Sequence, residues 1–167
     1  LYVHPKDLQD NRIEVTDDDI IANAPYVPGC GMWFDHHSSE IERLKLKGKI
    51  DGAIEPVDSA ARVVFNYFKA RKPYSQTVQK FEKLVNIADI VDSAKFNKTD
   101  IMDPQGWTML AFITDPHSNF GKKHTFTISN LQLLKTLPDL LCNKTADEIL
   151  AMPDFMERVT AYKKDIK

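Results

Sequence analysis

At 167 residues, 43% apolar and 28% charged, the chain has ordinary globular composition and enough apolar material for one domain with a sizeable core. Its net charge of −2 argues against a broad electrostatic nucleic-acid surface, which needs clustered Lys and Arg, but leaves room for a phosphate-bearing substrate neutralised locally by metal ions. Two cysteines, Cys30 and Cys142, make no disulfide framework, and no apolar stretch approaches transmembrane length, so a reducing cytoplasm without membrane contact is the expected setting.

In chain order, Leu1-Tyr2-Val3-His4 reads as a strand, and a second is expected at about 19–23, after the acidic Asp17-Asp18-Asp19 run that opens a turn. The apolar run Met32-Trp33-Phe34 makes a third at 31–35 and stops at Asp35-His36-His37. Ser38 or Ser39 caps a helix through Lys47 with Gly48 as its stop, and residues 51–55 offer a fourth strand. Asp58 or Ser59 caps a helix whose Val63, Val64, Tyr67 and Phe68 form one apolar face. A single helix is predicted from Ser75, with Val78, Phe81, Val85 and Ala88 at three- and four-residue steps. Residues 106–114, 128–141, 146–152 and 154–166 also read as helical, the last two marked by a Thr145-x-x-Glu148 capping box and by Pro153 at a helix start. The expected fold class is therefore α/β, a parallel sheet flanked by helices with a helical C-terminal third.

The triplet carries the chemistry. One carboxylate and two imidazoles at the C-terminal end of a strand lie where open α/β sheets bind ligands, and they offer the oxygen and nitrogen donors that Mn²⁺ or Zn²⁺ accept. Asp89 and Asp92, three residues apart on a helix, can face the same way. Asp89 reads either as a carboxylate supporting the site from behind or as a helix-face group paired to Lys83 or Lys95. Ser59, at a helix N-terminus, offers a phosphate its hydroxyl and backbone N–H groups, or serves as an ordinary N-cap. The segment 115–124, with His117, Lys122, Lys123 and His124, reads as a polyanion clamp or as a solvated turn. Neither cysteine has the setting of a catalytic nucleophile.

Tyr26-Val27-Pro28-Gly29, then Trp33-Phe34-Asp35-His36-His37, then Ser59-Ala60-Ala61-Arg62-Val63 and finally Ile87-Ala88-Asp89-Ile90-Val91-Asp92-Ser93 together resemble the DHH phosphoesterase superfamily, in particular its exopolyphosphatase-related branch. The resemblance covers most of residues 1–130, which would form a DHH-like domain with 131–167 as its helical extension. It implies a phosphohydrolase acting on polyphosphate, pyrophosphate or a short oligonucleotide, using two Mn²⁺ (or Mg²⁺) ions; assembly as a homodimer is left open. By the same resemblance His36 and Asp92 are metal ligands, His37 contacts the scissile phosphate, and Asp35 orients an imidazole. Lys122 and Lys123 would help bind substrate.

Two departures stand out. The Asp-x-Asp motif with which the family opens is missing before the triplet, so the chain is expected to lack its first βα unit and to be inactive alone. At the bridging-ligand position the strand ends in Asn23, not Asp, with the Asp17–Asp19 run as the substitute candidate. An amide offers a metal only a dipole where a carboxylate offers a full charge. The alternative is a non-catalytic module that binds a phosphoanion or partner through an incomplete metal site. A non-haem iron site is a third reading, weakened because adjacent histidines seldom both reach one metal facially.

Overall fold

The computed structural model describes residues 2–44, 50–115 and 120–166. The chain forms two compact units, Leu1–Lys95 and Phe96–Lys167. The first holds α1 (Pro5–Gln9), β1 (Ile20–Ala22), β2 (Met32–Asp35), α2 (Ser38–Leu44), β3 (Gly52–Ile54), α3 (Ala60–Arg71), α4 (Gln76–Gln79) and α5 (Glu82–Asp92).

Among the described residues the strands make one parallel sheet in the order β1-β2-β3. Ile21 pairs with Trp33 and Trp33 with Gly52; Asp35 pairs with Ile54. Alternating side chains of a strand face opposite sides, so a central strand covered on both faces must be apolar at successive positions. Trp33 accordingly packs with Leu8, Ile21 and Ala24 on one face. Phe34 meets Val63 and Tyr67 of α3 on the other. The Phe34 and Tyr67 rings meet edge to face at 5.0 Å, and the Trp33 indole N–H donates to the Ala24 carbonyl at 2.8 Å. The parallel register brings Ala22, Asp35 and Ile54, the carboxyl ends of all three strands, to one edge.

Two expectations need correction. Residues 2–4 form no strand and lead into α1: Pro5 occupies its first turn, where a missing N–H costs nothing, and His4 Nδ1 accepts from the Lys6 amide at 3.2 Å as a cap. The helix predicted from Ser75 is two helices, α4 and α5. Lys80 and Phe81 at the joint keep right-handed helical dihedrals, which is why the apolar spacing runs across it unbroken. The predicted stop of α2 at Gly48 lies outside the described residues.

The second unit holds α6 (Lys98–Met102), α7 (Gly106–Thr114), α8 (Phe120–Lys123), α9 (Asn130–Asn143), α10 (Ala146–Leu150) and α11 (Pro153–Asp165), matching the helical C-terminal part expected from the sequence. Met109, Leu110, Ile113, Phe120, Leu133, Ile149, Phe155 and Val159 form its core. The Thr145/Glu148 capping box is formed, and a second caps α9 through Ser129 and Gln132. Arg158 is fully buried: its guanidinium lies 4.1 Å from the centre of the Phe126 ring and donates to the Ile128 carbonyl at 2.8 Å, stitching α11 to the segment before α9. Among the described residues no helix is long and apolar enough to cross a membrane.

Candidate active site

Strand β2 ends in a carboxylate that is 1% exposed. A charge this deep must be hydrogen-bonded, and Asp35 Oδ1 accepts both the His36 amide at 2.8 Å and His37 Nδ1 at 2.7 Å. The neighbouring strands close around it: the Asn23 amide donates to the Phe34 carbonyl, and the Glu55 amide to the Asp35 carbonyl. Asn23, Asp35 and Glu55 thus follow one another across the carboxyl edge of the sheet.

The His36 ring sits behind this edge with Nδ1 3.0 Å from the Val57 carbonyl. A carbonyl only accepts, so Nδ1 carries a proton, which leaves Nε2 as the nitrogen that meets Asp92. That nitrogen lies 3.3 Å from Asp92 Oδ2. Two acceptors face each other there, and only a cation between them, a proton or a metal ion, satisfies both. The pair thus fits a divalent ion, with the backbone carbonyl holding the ligating imidazole as such sites commonly do. His37 is about half exposed, its ring 4.5 Å from that of His36. Asp35, His36 and His37 also offer ligand atoms within 4.8 Å of one another, with Asp35 Oδ1 bonded to His37.

Asp92 closes α5, where a carboxylate opposes the helix dipole; its place reflects its partner and not helix stability. Asp89 points the same way with a different engagement. Ser59 Oγ donates to its Oδ1 at 2.7 Å, and Arg62 donates to its Oδ2 through Nε at 2.9 Å and through Nη2. Neither lysine anticipated for Asp89 is its partner here, since Lys95 binds Asp58 at 2.6 Å. Arg62 was not singled out from the sequence, because only packing reveals which face of α5 meets α3.

The remaining candidates sort by position. Ser59 is 2% exposed, its proton given to Asp89 and its oxygen taken by the Arg62 amide at 3.1 Å, so of its two readings the structure shows the N-cap. Asn23 has φ 55°, a left-handed conformation that Asn tolerates better than most residues, and it stands beside Asp35. The Asp17–Asp19 run lies at the amino edge of the sheet, where the Asp19 carbonyl accepts the Gly31 and Met32 amides. The Asp19 carboxylate accepts from the Thr16 amide at 2.8 Å and the Thr16 hydroxyl at 3.0 Å, so the end of this run is tied into a turn at the edge opposite the triplet. Lys122 and Lys123 end α8 in the other unit and are exposed, while His124 pairs with Asp165 at 2.9 Å. His117 lies outside the described residues.

Glu55 was also missed: it follows β3 directly and accepts from Asn66 of α3 at 2.8 Å. Its only sequence signal is that position. Burial pushes the Cys30 thiol up, away from the thiolate that a nucleophile needs.

The chain matches no protein-family model and no curated protein. Among solved structures it is similar to the pGpG-specific phosphodiesterase PggH from Vibrio cholerae, at 34% identity and a TM-score of 0.78 over 98% of this chain. It spans 51% of the length of that protein.

Proposed function

We propose that this chain carries the metal-binding half of a DHH-type phosphodiesterase that hydrolyses a short linear oligonucleotide with divalent metal. The observation that carries this reading is the apposition of His36 Nε2 and Asp92 Oδ2 at 3.3 Å beside the Asp35–His37 pair. The similarity to a protein that acts on pGpG supports a dinucleotide over polyphosphate or pyrophosphate as the substrate class.

His36 and Asp92 would hold the cation, with Asn23 at the neighbouring strand end. Mn²⁺ suits this mixed nitrogen and oxygen set better than Mg²⁺, which dehydrates reluctantly and prefers oxygen. When bound, such ions polarise a phosphoryl oxygen and lower the pKa of water, making hydroxide available at neutral pH. Val57 fixes the His36 tautomer through its carbonyl. Asp35 engages the His37 ring at Nδ1, so that Nε2 is the nitrogen left to contact an oxygen of the scissile phosphate.

The test is Mn²⁺-dependent cleavage of pGpG to mononucleotides by the full-length protein, with pyrophosphate and polyphosphate as competitors. Turnover of pGpG with weak competition is expected. No turnover of any of them would sink the hydrolase. Asn23 favours a second reading in one respect: an amide where a carboxylate would bridge two ions suits a module that holds a single ion and binds phosphate without cleaving it.

Asn23→Asp separates the two. A carboxylate beside Asp35 adds a full negative charge next to the cations, so the variant is expected to tighten a second Mn²⁺ by roughly tenfold and to lower the Mn²⁺ concentration needed for activity. Calorimetry and the Mn²⁺ activation curve check it. Unchanged values would mean that residue 23 does not approach the ions.

A further inference from the structure

Asn86, Asp89, Asp92 and Lys95 recur every third residue of α5 and just beyond it, along one stripe. Three of them reach the start of α3. Asn86 and Asp89 accept from Arg62, Asp89 also accepts from Ser59, and Lys95 binds Asp58. The fourth, Asp92, meets His36.

Asp89 is the centre of the stripe. Both its oxygens are engaged, one by the Ser59 hydroxyl and one by two nitrogens of Arg62. The Asp89 and Arg62 side chains are 17% and 21% exposed, so this pair is far less screened than a surface ion pair. A guanidinium that engages a carboxylate through two nitrogens fixes angle as well as distance. Ser59 is immobilised in turn as the α3 cap.

We propose that Ser59, Arg62 and Asp89 form a positioning clasp that sets the height and rotation of α5 so that Asp92 meets His36. The three bond one another and are not assigned as ligands, and the proposal rests on the reading of His36 and Asp92 as metal ligands. A purely electrostatic role makes the opposite prediction for one of them. Arg62 is a positive charge near a cation site, so its removal would tighten metal binding if charge were all that mattered. Under the clasp its removal loosens α5 and weakens binding.

The experiment measures Mn²⁺ affinity by calorimetry, with thermal midpoints alongside, for Arg62→Gln, Asp89→Asn, their double variant, Arg62→Lys and Ser59→Ala in the full-length protein. Arg62→Gln and Asp89→Asn are each expected to weaken Mn²⁺ by roughly 10- to 100-fold, as loss of a group supporting a ligand commonly does. The double variant should be little worse than either, because the two share one interaction. Arg62→Lys should recover part of the loss. Unchanged or tighter Mn²⁺ binding in Arg62→Gln overturns the clasp, as does a lowered midpoint with unchanged affinity. Where Arg62→Gln does not fold, Ser59→Ala decides: it keeps the ion pair, is expected to bind Mn²⁺ a few-fold more weakly, and overturns the proposal if its affinity is unchanged. His36→Ala is the control for the underlying reading; if it too leaves Mn²⁺ affinity untouched, the fault lies with the metal site and not with the clasp.

Discussion

His36→Ala in the full-length protein is expected to abolish Mn²⁺-dependent phosphodiester hydrolysis while leaving the fold in place. The substitution removes the nitrogen that faces Asp92 and leaves that carboxylate as half of a ligand pair. Turnover should fall by roughly a thousandfold or more, about 4 kcal/mol of transition-state stabilisation. Stability should change far less, because the ring's hydrogen bond to the Val57 carbonyl contributes about 1 kcal/mol net and its contact with the partly exposed Asp92 adds little. Steady-state kinetics across a Mn²⁺ series, with urea unfolding of the same samples, separates the two effects. Wild-type turnover in the variant would remove His36 from the site. A large loss of stability would show that its role is structural.

Gly52→Ala acts on the scaffold and should be the most destabilising small substitution in the first unit. Gly52 has φ 121°, a conformation that residues with a side chain rarely adopt. An added Cβ would lie 1.9 Å from the Trp33 carbonyl oxygen and 2.8 Å from the Trp33 nitrogen, both in the backbone of β2. No side chain can move aside to relieve that. Relief requires β3 to part from β2, which loosens the bond from the Trp33 amide to the Asp51 carbonyl. The expected loss is roughly 3 kcal/mol or more, combining backbone strain with a broken sheet contact. The damage should reach the site, because Glu55 and Val57 follow β3 and contact Asp35 and His36. Denaturant midpoints check it: a loss below about 0.5 kcal/mol, the range of neutral surface changes, would mean that β3 leaves room for a Cβ beside the Trp33 backbone.

These effects depend on features of very different range along the chain. The apolar run Met32-Trp33-Phe34 and the Asp35-His36-His37 triplet are legible without a structure: a strand buried on both faces must be apolar at consecutive positions, and a parallel sheet brings strand ends to one edge. Ser59, Thr145 and Pro153 mark helix starts through chemistry confined to one turn. His4-Pro5 obeys the same local rule, and at residues 2–4 that cap prevails over the apolar pattern that suggests a strand. The triplet's position and these helix starts were therefore determined by the sequence itself.

What the tertiary structure decided is the choice among like groups. Asp89 and Asp92 share a helix face, and nothing within α5 says that Arg62 takes the first and His36 the second; the packing of α3 against α5 does. The Asp17–Asp19 run stands near the triplet in the chain, yet it lies beside the start of β2, and the triplet lies at that strand's other end. The Ser59 hydroxyl looked free for a phosphate until α5 brought Asp89 within 2.7 Å. Caps, turns and strand patterns depend on neighbours a few residues away, so the sequence states them. Ion-pair and ligand partners are residues about 30 to 60 positions apart, and their choice is made only when the helices and the sheet edge come together.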